Sequence, residues 1–341
     1  MKLLIITQKV DLADPILGFF HGWILAFSQK FNSITVICLG KGEYNLPGNV
    51  KVLSLGKEIK KSKAVYLWRY FFFLLKERKK YDAVLVHMNQ EYVILAGWLW
   101  WFLGKKVFMW RNHHSGSWLT DLSVLFCDKV FCTSKYSYTA KYRKTVLMPV
   151  GIDLDLFKEN LVGEKIPKSI LFVGRISPVK KIHVLIEALK YLKNENIDFS
   201  ASVYGDPLES DQGYYQELQE KVVQGGLDRQ IKFYSGVPNS STANIYNSHK
   251  IFVNLSSSGM YDKTIFESIA CGCLPVVCNK NLVGQINNDF IFIEDDHRDL
   301  ASKLKTMLKF APTERDRSCL HDVVINHSLT SLSSKIFNEI R

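Results

Sequence analysis

Short apolar runs rich in β-branched and aromatic residues alternate with stretches of helical spacing along the whole chain. In the first half the runs are Lys2–Thr7, Ile34–Leu39, Val50–Leu55, Ala83–His87, Lys106–Trp110, Val130–Thr133 and Val146–Pro149. Each has the length of a strand. Between them Phe20, Trp23, Ile24 and Phe27 recur at helical spacing and predict one apolar helix face. Tyr92–Phe102 predicts a second helix, apolar nearly all round, hence buried or pressed on a membrane. The second half restarts the rhythm with a strand at Ser169–Gly174 and a helix over Ile182–Leu192. Strands follow at Ser200–Gly205, Ile231–Tyr234, Ile251–Leu255 and Leu274–Cys278. Runs this apolar are buried on both faces, as in parallel sheets covered by helices. Two such series predict an α/β chain of two doubly wound, Rossmann-like domains, over 1–150 and 151–325. The hinge is expected in Met148–Lys168, an irregular polar stretch with Pro149, Gly151 and Pro167. A last helix, about 326–341, has no strand after it and is expected to pack back on the first domain. Ligands of open parallel sheets sit at the carboxyl ends of strands, so two facing sheets place a site in the cleft between them.

Composition narrows the class without choosing a function. The 341 residues suggest two domains, and 47% hydrophobic with 23% charged residues is the range of a globular protein with sizeable cores. A net charge of +11 favours an anionic partner: nucleic acid, acidic lipid head groups or a phosphorylated substrate. The basic residues concentrate in 57–80 and scatter elsewhere, without a stacking motif or helix-turn-helix signature, so no nucleic-acid partner is expected. The seven cysteines form no C-x-x-C pair or zinc-finger spacing and read as reduced core residues of a cytoplasmic protein. The first apolar run is too short for a signal peptide, and no run reaches the ~18 residues of a spanning helix. No G-x-G-x-x-G follows any strand, which argues against a dinucleotide dehydrogenase.

Phe172–Leu189 holds the strongest local chemistry. An apolar strand ends at Gly174, Arg175 and Lys180 bracket a loop with Pro178, and a helix begins near Ile182. Two cations and a helix N-terminus at a strand end make a phosphate site; the alternative is a solvated basic loop. Ser256–Val277 runs strand, Ser/Gly turn, helix, strand, with Glu267 on the helix. Thr264 to Glu267 reads T-x-x-E, so Glu267 either completes a capping box or is a carboxylate for ribose hydroxyls. Gly259 lets a backbone approach a ligand closely, and the N–H groups of Asp262, Lys263 and Thr264 could meet a phosphate or a sugar hydroxyl. Lys57–Tyr81 carries an aromatic centre between two lysine clusters. It reads as an interfacial helix drawn to anionic lipid or as a core helix with solvated ends.

G-R-I-S-P-V-K-K followed by L-I-E-A-L resembles the donor motif of the retaining GT-B glycosyltransferases of family four, the glycosyl transferases group 1. E-S-I-A-C-G-C-L-P-V-V resembles their E-A-M-A-x-G-x-P-V-V block, and M-P-V-G-I-D-L-D-L-F their interdomain segment. L-V-H-M-N-Q-E-Y and M-W-R-N-H-H resemble first-domain segments, so the matches run in order from about residue 80 to 280. The resemblance implies two Rossmann-like domains facing across a cleft. It implies retaining transfer from a nucleotide-sugar donor to a saccharide or lipid-linked acceptor, in cell-envelope or surface polysaccharide synthesis. Arg175 and Lys180 would hold the diphosphate and stabilise the leaving group, Glu267 the ribose, and His113 the donor sugar or a phosphate. Asp14, Gly18 and His21, in the loop after the first strand, with His87 and His114, would be acceptor-side candidates. For Asp14 and Pro15 a helix-entry turn is the alternative. No metal and no cofactor is implied, and the D-x-D formed by Asp153 and Asp155 lies in the hinge segment. The protein would be peripheral on the inner face of the cell membrane, through about 57–81. One departure stands out: the first glutamate of the family's E-x7-E motif is Gly259 here. Asp262 is a candidate replacement carboxylate and Lys263 an added cation; a donor-binding protein without turnover is the alternative reading.

Overall fold

In the computed structural model the apolar runs are parallel strands, and the chain divides into two units, Met1–Gly151 with Leu329–Arg341, and Ile152–Ser328. Residues 1–14, 16–160 and 163–341 are described. Pro15, read above as a cap signal, and Leu161 and Val162 of the expected hinge lie outside them.

In the first unit the strands are β1 (Lys2–Val10), β2 (Ser33–Lys41), β3 (Val50–Ser54), β4 (Ala83–His87), β5 (Lys106–Trp110), β6 (Lys129–Cys132) and β7 (Thr145–Leu147). They form one parallel sheet in the order β3-β2-β1-β4-β5-β6-β7. The helices are α1 (Phe19–Ser28), α2 (Lys63–Glu77), α3 (Gln90–Phe102) and α4 (Trp118–Leu125), and the chain's last helix, α11 (Leu329–Ile340), joins them. Successive side chains of a strand point to opposite faces. Leu3 and Ile5 of β1 therefore pack in one core with Trp23 and Phe27 of α1 and Leu332, Ile336 and Ile340 of α11. Leu4 and Ile6 pack in the other with Tyr70 and Leu74 of α2, Val93, Ala96 and Trp100 of α3, and Val124 of α4. The segment 57–81 thus contains a core-facing helix, and its outer face, with Trp68 and Phe72, remains exposed.

In the second unit the strands are β8 (Ile166–Val173), β9 (Ser200–Tyr204), β10 (Ile231–Tyr234), β11 (His249–Asn254) and β12 (Leu274–Val277). Their order is β10-β9-β8-β11-β12, again all parallel. The helices are α5 (Ile182–Asn194), α6 (Gln212–Gln224), α7 (Asn239–Ser248), α8 (Lys263–Ala270), α9 (His297–Lys309) and α10 (Glu314–Asn326). The strand order reverses between β8 and β11, which opens a crevice at their carboxyl ends. The corresponding reversal in the first sheet lies between β1 and β4. All seven cysteines are free; Cys319 alone is half-exposed and the other six are buried. Among the described residues no helix is long and apolar enough to cross a membrane.

Candidate active site

The crevice of the second unit is built by two strand ends whose backbones touch. A Cβ on Gly205, just past β9, would lie 1.9 Å from the Gly174 carbonyl oxygen. The Gly174 N–H in turn donates to the Tyr204 carbonyl at 3.0 Å. This close approach leaves Arg175 at the open edge, exposed, with no ion-pair partner among the described residues. The chain then makes a short 3-10 turn, Pro178–Lys180, and Lys181 caps α5 from the left-handed region at φ 54°. A non-glycine residue is strained there. The Lys181 ammonium binds Glu294 at 2.8 Å and Asp295 at 2.7 Å. Burial would lower its pKa, but these two carboxylates raise it above the usual lysine value.

Lys180 turns into the crevice and meets the chain leaving β11. Its ammonium donates to Ser256 Oγ at 3.1 Å and to Asp262 Oδ2 in a short contact. Asp262 Oδ2 also accepts from Ser256 Oγ at 3.1 Å and from Asn254 Nδ2 at 3.2 Å. Asn254 Nδ2 reaches Thr264 Oγ1 at 3.3 Å as well. Burial alone would raise the Asp262 carboxyl; the Lys180 ammonium and these donors instead hold it down at about 2. Lys180 and Asp262 are therefore a charged, mostly buried pair supported by hydrogen bonds from Ser256 and Asn254, the condition under which a buried pair is tolerated.

Glu267 lies one turn along α8 from Lys263, 4% exposed. Its Oε1 accepts from Asn239 Nδ2 at 3.3 Å and its Oε2 from the Tyr246 hydroxyl at 3.4 Å. The residue at the N-cap of α8 is Asp262, so Thr264 is inside the helix and the T-x-x-E capping box does not form. Burial pushes the Glu267 carboxyl up and the Lys263 ammonium down; each opposes the other's shift. Gly259 is buried in the turn between β11 and α8. The structure thus brings Gly174, Arg175, Lys180, Gly259, Asp262, Lys263, Thr264 and Glu267 to the strand ends and helix starts of one unit. Four of their partners escaped the sequence reading. Asn254 and Ser256 were signalled by their place at a strand's carboxyl end. Asn239 and Tyr246 reach Glu267 only because α7 packs on α8, and nothing in their own sequence marks them.

The first-unit candidates scatter. His113 and His114 follow β5, both exposed, with rings stacked at 4.4 Å. His113 Nδ1 lies 2.9 Å from Ser115 Oγ, and its pKa is lowered by burial, by His114 and by Arg111. His87, the last residue of β4, is 3% exposed; it stacks on Phe20 at 3.9 Å, and its Nδ1 is 3.2 Å from Thr7 Oγ1. His21 is 6% exposed and accepts from the Asn45 N–H at 3.1 Å. Both histidines are packed in the core rather than open to an acceptor. Asp14 accepts from the Ile16 and Leu17 N–H groups at 2.9 and 2.7 Å and from Lys9 at 2.8 Å, so it makes the helix-entry turn. It also lines a 620 Å³ cavity with Lys9, Asp11, Lys41, Glu58 and Met88, at the carboxyl ends of β1, β2 and β4. Gly18, His21, His87 and His114 do not line that cavity. Gly18 is needed where it is, because a Cβ there would lie 2.6 Å from the Asp14 carbonyl oxygen.

Residues 155–318 match the family model described as glycosyl transferases group 1. No curated protein matches the chain. Among solved structures, HepE of Anabaena in complex with UDP and glucose is similar at 16% identity and TM-score 0.77, over 100% of this chain and 99% of that one. A glycosyltransferase of Rickettsia africae is similar at 18% identity and TM-score 0.72, over 98% of each chain. The lipopolysaccharide outer core galactosyltransferase WaaB is similar at 14% identity and TM-score 0.69, over 100% of this chain and 99% of that one. The two parallel sheets, their strand orders and these likenesses are those of the GT-B fold, and within it residues 155–318 match glycosyl transferases group 1.

Proposed function

We propose that the chain moves a sugar from a nucleoside-diphosphate donor to a saccharide or lipid-linked acceptor, with retention of configuration, in cell-envelope or surface polysaccharide synthesis. The observation that carries this reading is the cluster at the carboxyl ends of β8 and β11. Arg175, with no ion-pair partner among the described residues, and Lys180 bracket one loop, and the present counter-ion of Lys180 is a carboxylate that a phosphate can replace. Arginine holds two oxygens of a phosphate at once and lysine adds a point charge. Both would stabilise the diphosphate as leaving-group charge develops, without a metal ion. Glu267, held by Asn239 and Tyr246, is a fixed acceptor for the ribose hydroxyls. His113 is the candidate for the donor sugar, and Asp14 for the acceptor side. HepE has been solved with UDP-glucose, which supports a uridine donor for this fold. The protein works in the cytoplasm on the inner face of the membrane, where the 57–81 segment meets anionic lipid.

Transfer from a labelled nucleotide-sugar panel to cell-envelope extract tests this directly. Arg175→Ala and Lys180→Ala are each expected to lower turnover by on the order of 100-fold, and a chelator is expected to leave the wild-type rate unchanged. Wild-type rates in both variants would falsify the site assignment. Tight UDP binding with no transfer to any extract would instead favour the donor-binding reading, which the glycine at 259 motivates.

A further inference from the structure

The outward face of the first unit is apolar across three neighbouring helices. On α2, Trp68, Phe72 and Leu75 form an exposed stripe, with the rings of Trp68 and Phe72 stacked at 5.3 Å. On α3, Trp98 is 48%, Trp101 73% and Phe102 72% exposed. On α4, Trp118 and Leu125, two turns apart, are 71% and 74% exposed. The helices are joined beneath these side chains. The Tyr70 hydroxyl donates to the Tyr92 carbonyl at 2.9 Å, tying α2 to α3. Gly97 of α3 approaches Phe126 so closely that a Cβ would lie 2.5 Å from its ring. Trp101 and Leu125 share the rim of one 690 Å³ recess with Lys105 and Lys106. The exposed apolar area is on the order of 1,000 Å² at the usual size of these side chains. Exposed apolar surface on this scale points to an interaction site.

The charge flanking α2 is mostly basic. Lys60 and Lys61 precede α2, Lys63 is its first residue, and all three are exposed. Lys76 is in its last turn and Arg78, Lys79 and Lys80 follow it; of these only Lys80 has an ion pair among the described residues, with Glu77. No charged residue stands between Glu91 and Lys105. The acids nearest the face are otherwise engaged or at its margin. Glu77 is buried between Lys51 and Lys80, Asp121 is bound by Tyr138, Tyr142 and Lys141, Glu91 is at the start of α3, and Asp128, in the recess with Lys105 and Lys106, accepts from the Val107 N–H. Protein–protein interfaces are depleted in lysine. Tryptophan with flanking lysine is instead the composition of a surface that sits at lipid head groups.

The geometry points to the α2–α3–α4 face of the first unit as a docking surface for an anionic bilayer, with the tryptophans of α3 as its most deeply inserted part. This widens the α2 contact proposed above to a three-helix plane, and it rests on that reading only for α2. In a sedimentation assay the full chain is expected to pellet with vesicles of phosphatidylglycerol in phosphatidylcholine and to stay free of pure phosphatidylcholine. Trp98→Ser with Trp101→Ser and Phe102→Ser should lower the partition constant by about tenfold or more. Lys61→Gln with Lys63→Gln and Lys76→Gln should lower it on the order of 100-fold, from roughly fivefold per basic residue. UDP-induced thermal stabilisation should be unchanged in both variants, which shows them folded. The inference is overturned if the wild type ignores anionic vesicles at low salt. It is equally overturned if the α3 variant partitions like the wild type, or if the same variant instead abolishes a dimer in solution. Loss of sugar transfer with sedimentation intact would count against the enzymatic reading alone.

Discussion

Lys180 and Asp262 hold each other in the crevice where a diphosphate is expected, and their pairing has a cost in acid. The Asp262 carboxyl is depressed to about 2, against roughly 4 for an unfolded aspartate. A depressed acid contributes stability that is present above the unfolded pKa and lost as pH falls through the folded one. About 2 kcal/mol should therefore disappear between roughly pH 4 and pH 2 in the wild type. Asp262→Asn should lack that component, which urea unfolding at stepped pH measures; parallel curves for the two proteins would contradict the pairing. Gly259 matters at the same scale. The usual carboxylate is missing there, and the candidate replacement, Asp262, has its Oδ2 bound by Lys180, Ser256 and Asn254.

At the scale of elements, α8 decides what Glu267 can do. The T-x-x-E pattern is a local signal that any helix interior can contain by chance. The start of α8 is instead set by the turn that carries the chain out of β11, and it falls at Asp262. Freed from capping, Glu267 faces α7, where Asn239 and Tyr246 hold it. Tyr246 is fully buried, so Tyr246→Phe removes one hydroxyl donor and little else. We expect UDP affinity to fall about fivefold, the worth of one hydrogen bond of ~1 kcal/mol. Titration calorimetry at neutral pH checks this; unchanged affinity would remove Glu267 from the nucleotide site. The α2 segment shows why a sequence pattern leaves alternatives open. Its inner stripe is core and its outer stripe is exposed, and the two overlap within fifteen residues.

At the scale of the molecule, the first unit is closed by the end of the chain. Leu332, Ile336 and Ile340 of α11 are completely buried against the α1 side of the first sheet. Leu332→Ala should destabilise this unit by about 2–5 kcal/mol, the cost of a large-to-small change in a packed core. The second unit, continuous in sequence, should be unaffected. The segment 152–328 expressed alone is expected to bind UDP, because the cluster around Lys180 and the partners of Glu267 lie within it. Calorimetry of the variant and a thermal-shift titration of the segment measure the two outcomes.

The alternation of apolar runs by itself determined the fold class. β4, β5 and β10 lie on the residues the pattern marked, because strand periodicity is a property of neighbouring residues. Arg175, Lys180 and Glu267 were also legible, since each stands at a fixed offset from a strand end or on a helix following one. Only the tertiary structure decided what those side chains touch. Lys180 meets Asp262 across 82 residues and Glu267 meets Tyr246 across 21. Both contacts depend on strand order and helix packing, which no local pattern contains. The same reason placed His21 and His87 in the core. A histidine at a strand end or helix start looks alike in sequence whether it faces solvent or a phenylalanine ring, and packing chose the ring for His87.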